Sequence, residues 1–265
     1  MKVPVYGLKG EVKGDVNLGK AFSRPIRVDV IKRAVLVEQS RKRQPYGNDP
    51  VAGQRSSADY RGQRGVKNAM MNKEMARMKR IVAGGFLHFR ARVVPQAVKG
   101  RRAHPPKIEK NWNLKINKKE RLLAMLSAVS CTTDKEVVEA RGHRTEGVKH
   151  IPMILDDKFQ ELKKSKEVMA TLLALGFEKE LERCSEKKTR AGRGKSRGRR
   201  TIKRKGPLIV IAEDKGITKA AKNIPGVEVS DVRGLEVGML APGTVPGRLT
   251  IWTKSAVEAV EKMAG

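Results

Sequence analysis

Residues 206–230 read GPLIVIAEDKGITKAAKNIPGVEVS and give the clearest indication of fold class in the chain. Leu208 to Ala212 is a short continuous apolar run, the pattern of a buried strand. A helical pattern follows at Ile217 to Ala221, and Val227 to Val229 predicts a second strand. A strand, a helix and a strand in this order predict a βαβ unit with parallel strands.

The same alternation of strands and helices continues on either side of this stretch. Ile151 to Leu155 is another apolar run of strand length, and Leu249 to Thr253 is a further one, followed by a helical pattern from Ser255. Residues 3–12 at the start of the chain show the alternation of a strand. Together these elements predict an α/β fold with a mainly parallel sheet.

Four further helices are predicted from capping residues and helical spacing. In three places a side chain that can cap a first helical turn stands ahead of an apolar periodic run. These are Ser23 with Pro25 ahead of Ile26, Val30, Ala34 and Val37, Asn117 with Glu120 ahead of Leu122 to Val129, and Thr133 with Glu136. The fourth runs through Val168, Leu172, Leu173 and Leu175 and ends at Gly176.

The composition is that of a charged protein with an aliphatic core. Of 265 residues, 39% are hydrophobic and only 4% aromatic, so a core must consist mainly of aliphatic side chains. The two cysteines, Cys131 and Cys184, are too few for a disulfide framework and are predicted to be buried thiols. Residues 1–10, MKVPVYGLKG, contain no apolar segment of signal-peptide length, and no stretch of the sequence reaches the roughly 20 apolar residues of a membrane span. We therefore expect a cytoplasmic protein.

The net charge of +30 is concentrated in two segments. Residues 41–121 hold 22 basic and 5 acidic side chains, and residues 187–205 hold 11 basic and no acidic ones. We expect residues 1–40 and 122–265 to form a single globular α/β domain, 41–121 to be an extended basic loop inserted in it, and 187–205 to be a basic extension. Self-repulsion on this scale favours a polyanionic partner, and nucleic acid is the leading candidate.

The insertion has the composition of a segment that binds unpaired RNA. It contains seven glycines and five prolines, shows little apolar periodicity, and interleaves cations with rings such as Tyr46, Tyr60, Phe86 and Phe89. Guanidinium groups bind phosphates, and aromatic rings stack on bases. A solvated charged linker is the alternative. The predicted RNA-binding residues here are Arg41, Lys42, Arg43, Arg55, Arg64, Arg101, Arg102, His104, Lys107 and Trp112.

One part of the insertion has helical spacing. Met71, Met75, Met78 and Val82 recur at that interval among basic residues. This pattern predicts a helical turn packed on RNA or on a neighbouring protein, with a basic amphipathic helix for a membrane surface or a calmodulin-like partner as the alternative.

The basic extension, KKTRAGRGKSRGRRTIKRK, is also predicted to bind RNA, because glycine allows close backbone approach to phosphates that arginine binds in pairs. Within it, Gly194, Lys195 and Ser196 match the end of a phosphate-binding loop motif, but the position of that motif's first glycine is occupied by Thr189. A nucleotide hydrolase is therefore disfavoured. The RNA-binding residues predicted here are Arg190, Arg193, Lys195, Arg197, Arg199 and Arg200.

No constellation of residues requires catalysis or a cofactor. The four histidines and two cysteines have no metal-ligand spacing, His143 and His150 included. Asp156 and Asp157 follow a predicted strand, where an active-site acid could lie, but capping of the next helix is the preferred interpretation. We expect a protein that is not an enzyme and holds no metal or cofactor.

Six stretches of the sequence resemble one family. They are RRAHPPKIEK (101–110), NKKER (117–121), ARGH (140–143), RAGRGKSRGRR (190–200), GPLIV (206–210) and APGTVPGRLTIWTKSA (241–256). In this order they resemble the universal large-subunit ribosomal protein four family, in its archaeal and eukaryotic form.

The resemblance implies a structural constituent of the large ribosomal subunit that binds its rRNA and supports assembly. It implies a Rossmann-like globular domain and a long loop whose tip lines part of the nascent-peptide exit tunnel. Residues 75–80 resemble that tip, with Arg77, Met78 and Arg80 as tunnel-lining residues. The implied partners are large-subunit rRNA, neighbouring large-subunit proteins and the nascent polypeptide, with no membrane. The alternatives are a Rossmann-like nucleotide-binding enzyme and a non-ribosomal RNA-binding protein with basic extensions.

Overall fold

The computed structural model describes residues 1–264 and divides into two compact units. The first unit contains residues 1–42 and the chain from residue 113 onward, and the second contains residues 43–112. Within residues 1–264, none of the helices has the length and hydrophobicity of a membrane span.

The first unit contains all the helices and strands that are named here. The strands are β1 (Lys2–Tyr6), β2 (Val12–Asn17), β3 (Met153–Leu155), β4 (Lys188–Thr189), β5 (Thr201–Ile202), β6 (Leu208–Ile211), β7 (Glu228–Asp231) and β8 (Thr250–Thr253). The helices are α1 (Val28–Arg41), α2 (Lys118–Ser130), α3 (Lys135–Ala140), α4 (Ser165–Ala174), α5 (Glu178–Ser185), α6 (Ile217–Ala221), α7 (Val237–Leu240) and α8 (Lys254–Ala264).

Six strands form one mixed sheet in the order β2-β1-β3-β8-β6-β7, and β4 pairs with β5 in a separate hairpin. Within the large sheet only β1 and β2 are antiparallel, and the other neighbours are parallel. The predicted α/β class with a mainly parallel sheet is therefore confirmed. The last strand, β8, lies between β3 and β6, so the order differs from that of dinucleotide-binding sheets.

Both faces of the sheet are covered by helices. Ile154, Val210 and Trp252 are aligned on neighbouring strands and belong to one apolar core, together with side chains of α1, α2, α7 and α8. Their strand neighbours, such as Ile209 and Ile251, face a second core against α3, α4, α5 and α6. Side chains alternate between the faces of a strand, which explains why strands covered on both sides read as unbroken apolar runs.

The first helix begins later than its sequence suggests. Ser23 with Pro25 predicted the start, but α1 begins at Val28, and Ile26 is exposed outside it. The Ser127 hydroxyl of α2 accepts the backbone N–H of Arg27 at 2.7 Å and donates to the Pro25 carbonyl at 3.1 Å. These contacts hold the chain ahead of the helix through a side chain 100 residues away, and the expected side-chain cap on the first turn of α1 is not formed.

Two other predicted caps differ in detail. Asn117 lies at the N-cap of α2, as expected, but its side chain makes no capping hydrogen bond. At α3 the N-cap is Asp134 and not Thr133, since the Asp134 carboxylate accepts the backbone N–H of Glu136 at 3.0 Å. The Thr133 hydroxyl donates instead to the Ser130 carbonyl, at the end of α2.

The second unit consists of turns and isolated bridges. Its two bridges pair Arg80 with Asp59 and with Ala91. The predicted helical turn through Met71, Met75, Met78 and Val82 is wrong, because Met71 lies in a turn, Met75 and Met78 lie in bends, and Val82 has no regular structure. Asn72 and Glu74 have left-handed φ values of 57° and 53°, which interrupt a right-handed helix.

Candidate nucleic-acid interface

Two segments of the second unit lie side by side, and we call them the paired limbs: residues 45–54 and 100–112. The Asn48 N–H donates to the Pro106 carbonyl at 3.0 Å. A Cβ on Gly47 would lie 2.8 Å from the backbone nitrogen of Ile108, and one on Gly53 would lie 2.7 Å from the Arg101 Cα. Glycine at these two positions allows the close approach of the backbones.

Trp112 is the centre of an aromatic and cationic cluster on the paired limbs. The Tyr46 ring stacks on Trp112 with ring centres 5.3 Å apart and planes 24° apart. The Arg43 guanidinium lies 4.1 Å from the centre of the Trp112 ring, and the Lys110 ammonium lies 4.4 Å from it. Cations over an indole ring are attracted by its quadrupole. We call Arg43, Tyr46, Lys110 and Trp112 the Trp112 cluster.

A cavity of about 640 Å³ opens beside this cluster. Its lining combines cations, rings and a rigid turn: Tyr46, Arg102, His104, Pro105, Pro106, Lys107, Glu109, Lys110 and Trp112. The predicted RNA-binding residues Arg102, His104, Lys107 and Trp112 are thus brought together around one space.

Most of the predicted RNA-binding cations are exposed and unneutralised. Of the 14 Lys and Arg residues in the set, all except Arg190 are exposed. Lys42 pairs with Glu236 and Arg55 with Asp49. Within residues 1–264, the other 12 have no carboxylate within 4.0 Å. Free cations in such numbers produce the positive field that attracts phosphate chains.

The basic extension is a hairpin. Strands β4 and β5 pair antiparallel, and the Arg190 N–H donates to the Arg200 carbonyl at 2.7 Å beyond them. Gly192 and Gly198 have φ values of 74° and 79°, which permit the turns between them. The loop from 190 to 200 holds the six cations predicted to bind RNA.

Ion pairs join the base of this hairpin to the globular unit. Arg204 pairs with Glu186 at 2.7 Å, and Lys205 pairs with Glu228. The Arg183 guanidinium donates to the Lys205 carbonyl at 2.7 Å. The hairpin is therefore anchored at its base, while its loop residues other than Arg190 and Gly194 are exposed.

Arg183 belongs to a buried polar cluster around Glu180, which the sequence analysis did not identify. The fully buried Glu180 carboxylate accepts hydrogen bonds from Arg183 at 2.7 and 2.8 Å, from the Arg144 N–H at 2.9 Å, and from His143 Nδ1 at 2.6 Å. Burial opposes ionisation, but these donors outweigh it and lower the pKa of Glu180 to about 2. Burial lowers the pKa of His143, so the neutral ring donates to the carboxylate.

The fully buried Arg248 ties three elements together. Its guanidinium donates to the Gly206 carbonyl at 2.8 Å ahead of β6, to Glu228 at 2.7 Å on β7, and to the Met239 carbonyl at 2.9 Å on α7. Glu228 also pairs with Lys205 at the hairpin base. Arg248 therefore positions the same carboxylate that holds the hairpin.

Of the three predicted tunnel-lining residues, Arg77 is exposed, and Met78 and Arg80 are half-buried. The Arg80 guanidinium donates to the Ala76 carbonyl at 2.9 Å and to the Phe89 carbonyl at 2.8 Å. Arg80 thus organises the surrounding turns through its own side chain, whereas the Arg77 side chain is directed to solvent.

The carboxyl edge of the sheet, where a Rossmann-like enzyme would bind its ligand, is occupied by polar side chains that satisfy one another. Asp157 accepts from the Ser255 N–H at 3.0 Å and hydroxyl at 2.6 Å, and from Gln160 at 3.0 Å. Asp157 therefore caps α8, not the next helix as predicted, and Asp156 pairs with Lys13 at 2.8 Å. The alternative role as an active-site acid has no support in this geometry.

The remaining candidate chemistry has structural explanations. Cys131 and Cys184 are buried, as predicted, and burial raises the pKa of each thiol to about 11, which keeps it protonated. Gly194, Lys195 and Ser196 lie in the hairpin loop and not between a strand and a helix, which a phosphate-binding loop requires. Within residues 1–264, no group of three His, Cys, Asp or Glu side chains is placed to hold a metal ion.

Comparison with known proteins agrees with the sequence resemblance. A model of the ribosomal protein L4/L1 family matches residues 16–263. The large ribosomal subunit protein uL4 of Nanoarchaeum equitans is 46% identical over 99% of this chain and 98% of its own length. The uL4 proteins of Archaeoglobus fulgidus and Methanopyrus kandleri are 47% and 44% identical, over 97% and 100% of both chains. This chain belongs to the ribosomal protein L4/L1 family.

Membership in the L4/L1 family, and its archaeal uL4 type, confirms the resemblance inferred from the six motifs. Two of those motifs also contain residues whose importance only the structure reveals. ARGH (140–143) ends in His143 of the Glu180 cluster, and APGTVPGRLTIWTKSA (241–256) contains the buried Arg248. Glu180 itself lies outside the motifs, and a carboxylate three residues before an arginine on a short helix was its only sequence signal.

Proposed function

We propose that this chain is a structural constituent of the large ribosomal subunit in the cytoplasm, binding large-subunit rRNA and supporting assembly beside neighbouring large-subunit proteins. The relatives quoted above are named as large-subunit proteins. The observation that carries the RNA-binding part is the set of 12 predicted cations that have no carboxylate partner within residues 1–264, and they occupy the second unit, its boundary and the hairpin loop.

The physical reason for an RNA partner is electrostatic. Residues 41–121 and 187–205 carry a surplus of 28 positive charges, and within residues 1–264 only Lys42, Arg204 and Lys205 among their cations pair with a carboxylate outside these segments. Each phosphate bound by such a cation releases condensed counterions, so affinity depends steeply on salt. The near-neutral sheet, with helices on both faces, then supports the basic segments. It resembles a Rossmann fold only in having helices on both sides of a mainly parallel sheet.

Co-sedimentation tests the proposal. Tagged chain should sediment with large subunits at one copy each and dissociate only at high salt. Replacing Arg101, Arg102 and Lys107 together by Ala should reduce incorporation, because three exposed cations of the paired limbs are lost. The matched control replaces Lys158, Lys163 and Lys166, three exposed cations of the near-neutral part, and should incorporate normally. Mostly free protein at physiological salt, or equal losses in both variants, would contradict the proposal.

We propose further that the tip around residues 75–80 lines part of the exit tunnel and contacts the nascent polypeptide, as the family resemblance implies. Arg77 is exposed and has no ion pair within residues 1–264, whereas Arg80 maintains the local turns. Arg77→Ala should therefore change the read-through of a reporter that stalls in the tunnel and leave sedimentation unchanged. Unchanged stalling in the Arg77→Ala variant would refute the assignment of Arg77 to the tunnel wall.

A further inference from the structure

We propose that the cavity beside the Trp112 cluster binds one unstacked nucleotide of single-stranded RNA, with its base on the Tyr46 ring and its phosphate held by Arg102 and Lys107. This inference rests on the proposed RNA-binding function and specifies what the paired limbs recognise.

The electrostatics of the cavity favour a phosphate. Its lining contains the cations Arg102, Lys107 and Lys110 against the single carboxylate Glu109, and Arg43 lies alongside in the Trp112 cluster. None of these four cations has an ion-pair partner within residues 1–264. A phosphate group would supply the missing negative charge and accept charge-assisted hydrogen bonds from the arginine fork.

The aromatic surface of the cavity is suited to a base. Tyr46 already stacks on Trp112, yet it is 52% exposed, so part of its ring is open to another ring. A base placed there would extend an existing stack of two rings. Such stacking tolerates any base, because every base has a π-face.

The Trp112 cluster has one unsatisfied hydrogen-bond donor. The Trp112 Nε1–H is buried and has no acceptor within residues 1–264. A buried donor without a partner is costly. An oxygen acceptor of the bound nucleotide would satisfy this donor once the Lys110 and Arg43 side chains move off the indole ring.

The cavity is preformed, which reduces the entropy lost on binding. Pro105 and Pro106 restrict one wall, and the hydrogen bond from Asn48 to Pro106 joins it to the other limb. The close approach of the limbs at Gly47 leaves no room for a Cβ beside the Ile108 backbone. A volume of about 640 Å³ accommodates a single nucleotide. A base within a duplex has both faces covered by its neighbours and could not stack on Tyr46, so the cavity favours single-stranded RNA.

Trp112 fluorescence provides the test in the full chain. The other tryptophan, Trp252, is completely buried in the sheet core, so ligand-dependent quenching reports Trp112. A short single-stranded oligoadenylate should quench this emission saturably, and inorganic polyphosphate of matched charge should quench it much less. Tyr46→Leu should weaken the oligoadenylate effect roughly 5- to 100-fold. The control, Tyr60→Leu, removes a ring that is 49% exposed but lies outside the cavity, and it should change the affinity less than twofold.

Filter binding of a long rRNA fragment to the same samples separates this inference from the proposed function. Salt-dependent retention of the fragment together with equal quenching by polyphosphate and oligoadenylate would overturn the nucleotide cavity alone. Equal weakening by Tyr46→Leu and Tyr60→Leu, in variants with unchanged circular dichroism, would overturn it as well. Loss of fragment retention in the unmodified chain would overturn the proposed function.

Discussion

Replacing Glu180 by glutamine should destabilise the first unit by about 3 kcal/mol at neutral pH. The donors around this carboxylate lower its pKa from 4.5 to about 2, and each pKa unit corresponds to about 1.36 kcal/mol of preference for the charged form. Glutamine has the same size but no charge, and its NH2 group would face the donors Arg183, His143 and the Arg144 N–H. Arg183 would also remain partly buried without its partner, a situation that is itself strongly destabilising.

The pH dependence gives a second signature. The folded-state pKa of Glu180 lies below its unfolded value of 4.5, so its contribution is complete above that pH and decreases as the pH falls towards about 2. The buried His143 also has a lowered pKa. Protonation of His143 therefore also lowers the stability of the folded state as the pH falls, beginning below the usual histidine pKa of 6.5. Glu180→Gln should remove the part of this acid sensitivity that Glu180 contributes between pH 4.5 and about 2.

Urea denaturation followed by far-ultraviolet circular dichroism at several pH values measures both effects, because the signal comes from the helices of the first unit. Glu182→Gln is the control, since Glu182 is exposed on the same helix. The reasoning is refuted if Glu180→Gln unfolds within about 0.5 kcal/mol of the unmodified chain, the range of ordinary surface substitutions. It is also refuted if the acid sensitivity is unchanged.

Three further predictions concern accessibility. Brief proteolysis of the free chain should cut first within 41–121 and 187–205, and bound RNA should protect both; protection equal to that of β6 without RNA would contradict this. Gly47→Ala should increase cleavage of the paired limbs, because its Cβ would lie 2.8 Å from the Ile108 nitrogen, whereas Gly84→Ala, with open space around it, should not. Both cysteines, with pKa values raised to about 11 by burial, should react with a thiol reagent only after unfolding, and rapid reaction of the native chain would show them accessible.

Two parallel strands, β6 and β8, could be located from sequence to within one residue, whereas β3 and β7 differ from their predicted ranges by up to two residues. Leu208–Ile211 and Thr250–Thr253 are buried on both faces, so every position is apolar or small and the run itself marks the strand. Helix α6 matches its predicted range of 217–221 because glycine precedes it and the apolar spacing is local. The failed helix at 71–82 shows the limit of this approach, because the spacing of four apolar residues says nothing about the left-handed turns at Asn72 and Glu74.

The candidate interface was partly visible in composition. A count of charges locates the two basic segments, because the net charge of a segment is the sum of the charges of its residues. It cannot tell which cations are neutralised: Lys42 and Arg55 have carboxylate partners, and Arg101 and Arg102 have none within residues 1–264. Nor does it predict that Tyr46 and Trp112, 66 positions apart, stack on one another.

Sequence alone therefore determined the α/β class, the near-neutral globular part, the two basic segments and the family, because each of these depends on local periodicity, on summed charge or on ordered motifs. Only the tertiary structure decided the strand order, the start of α1 at the hydroxyl of Ser127, the capping of α8 by Asp157 and the ionised state of the buried Glu180. These features depend on contacts between residues far apart in the chain. The free energy of a buried polar group is set by the partners that folding brings to it.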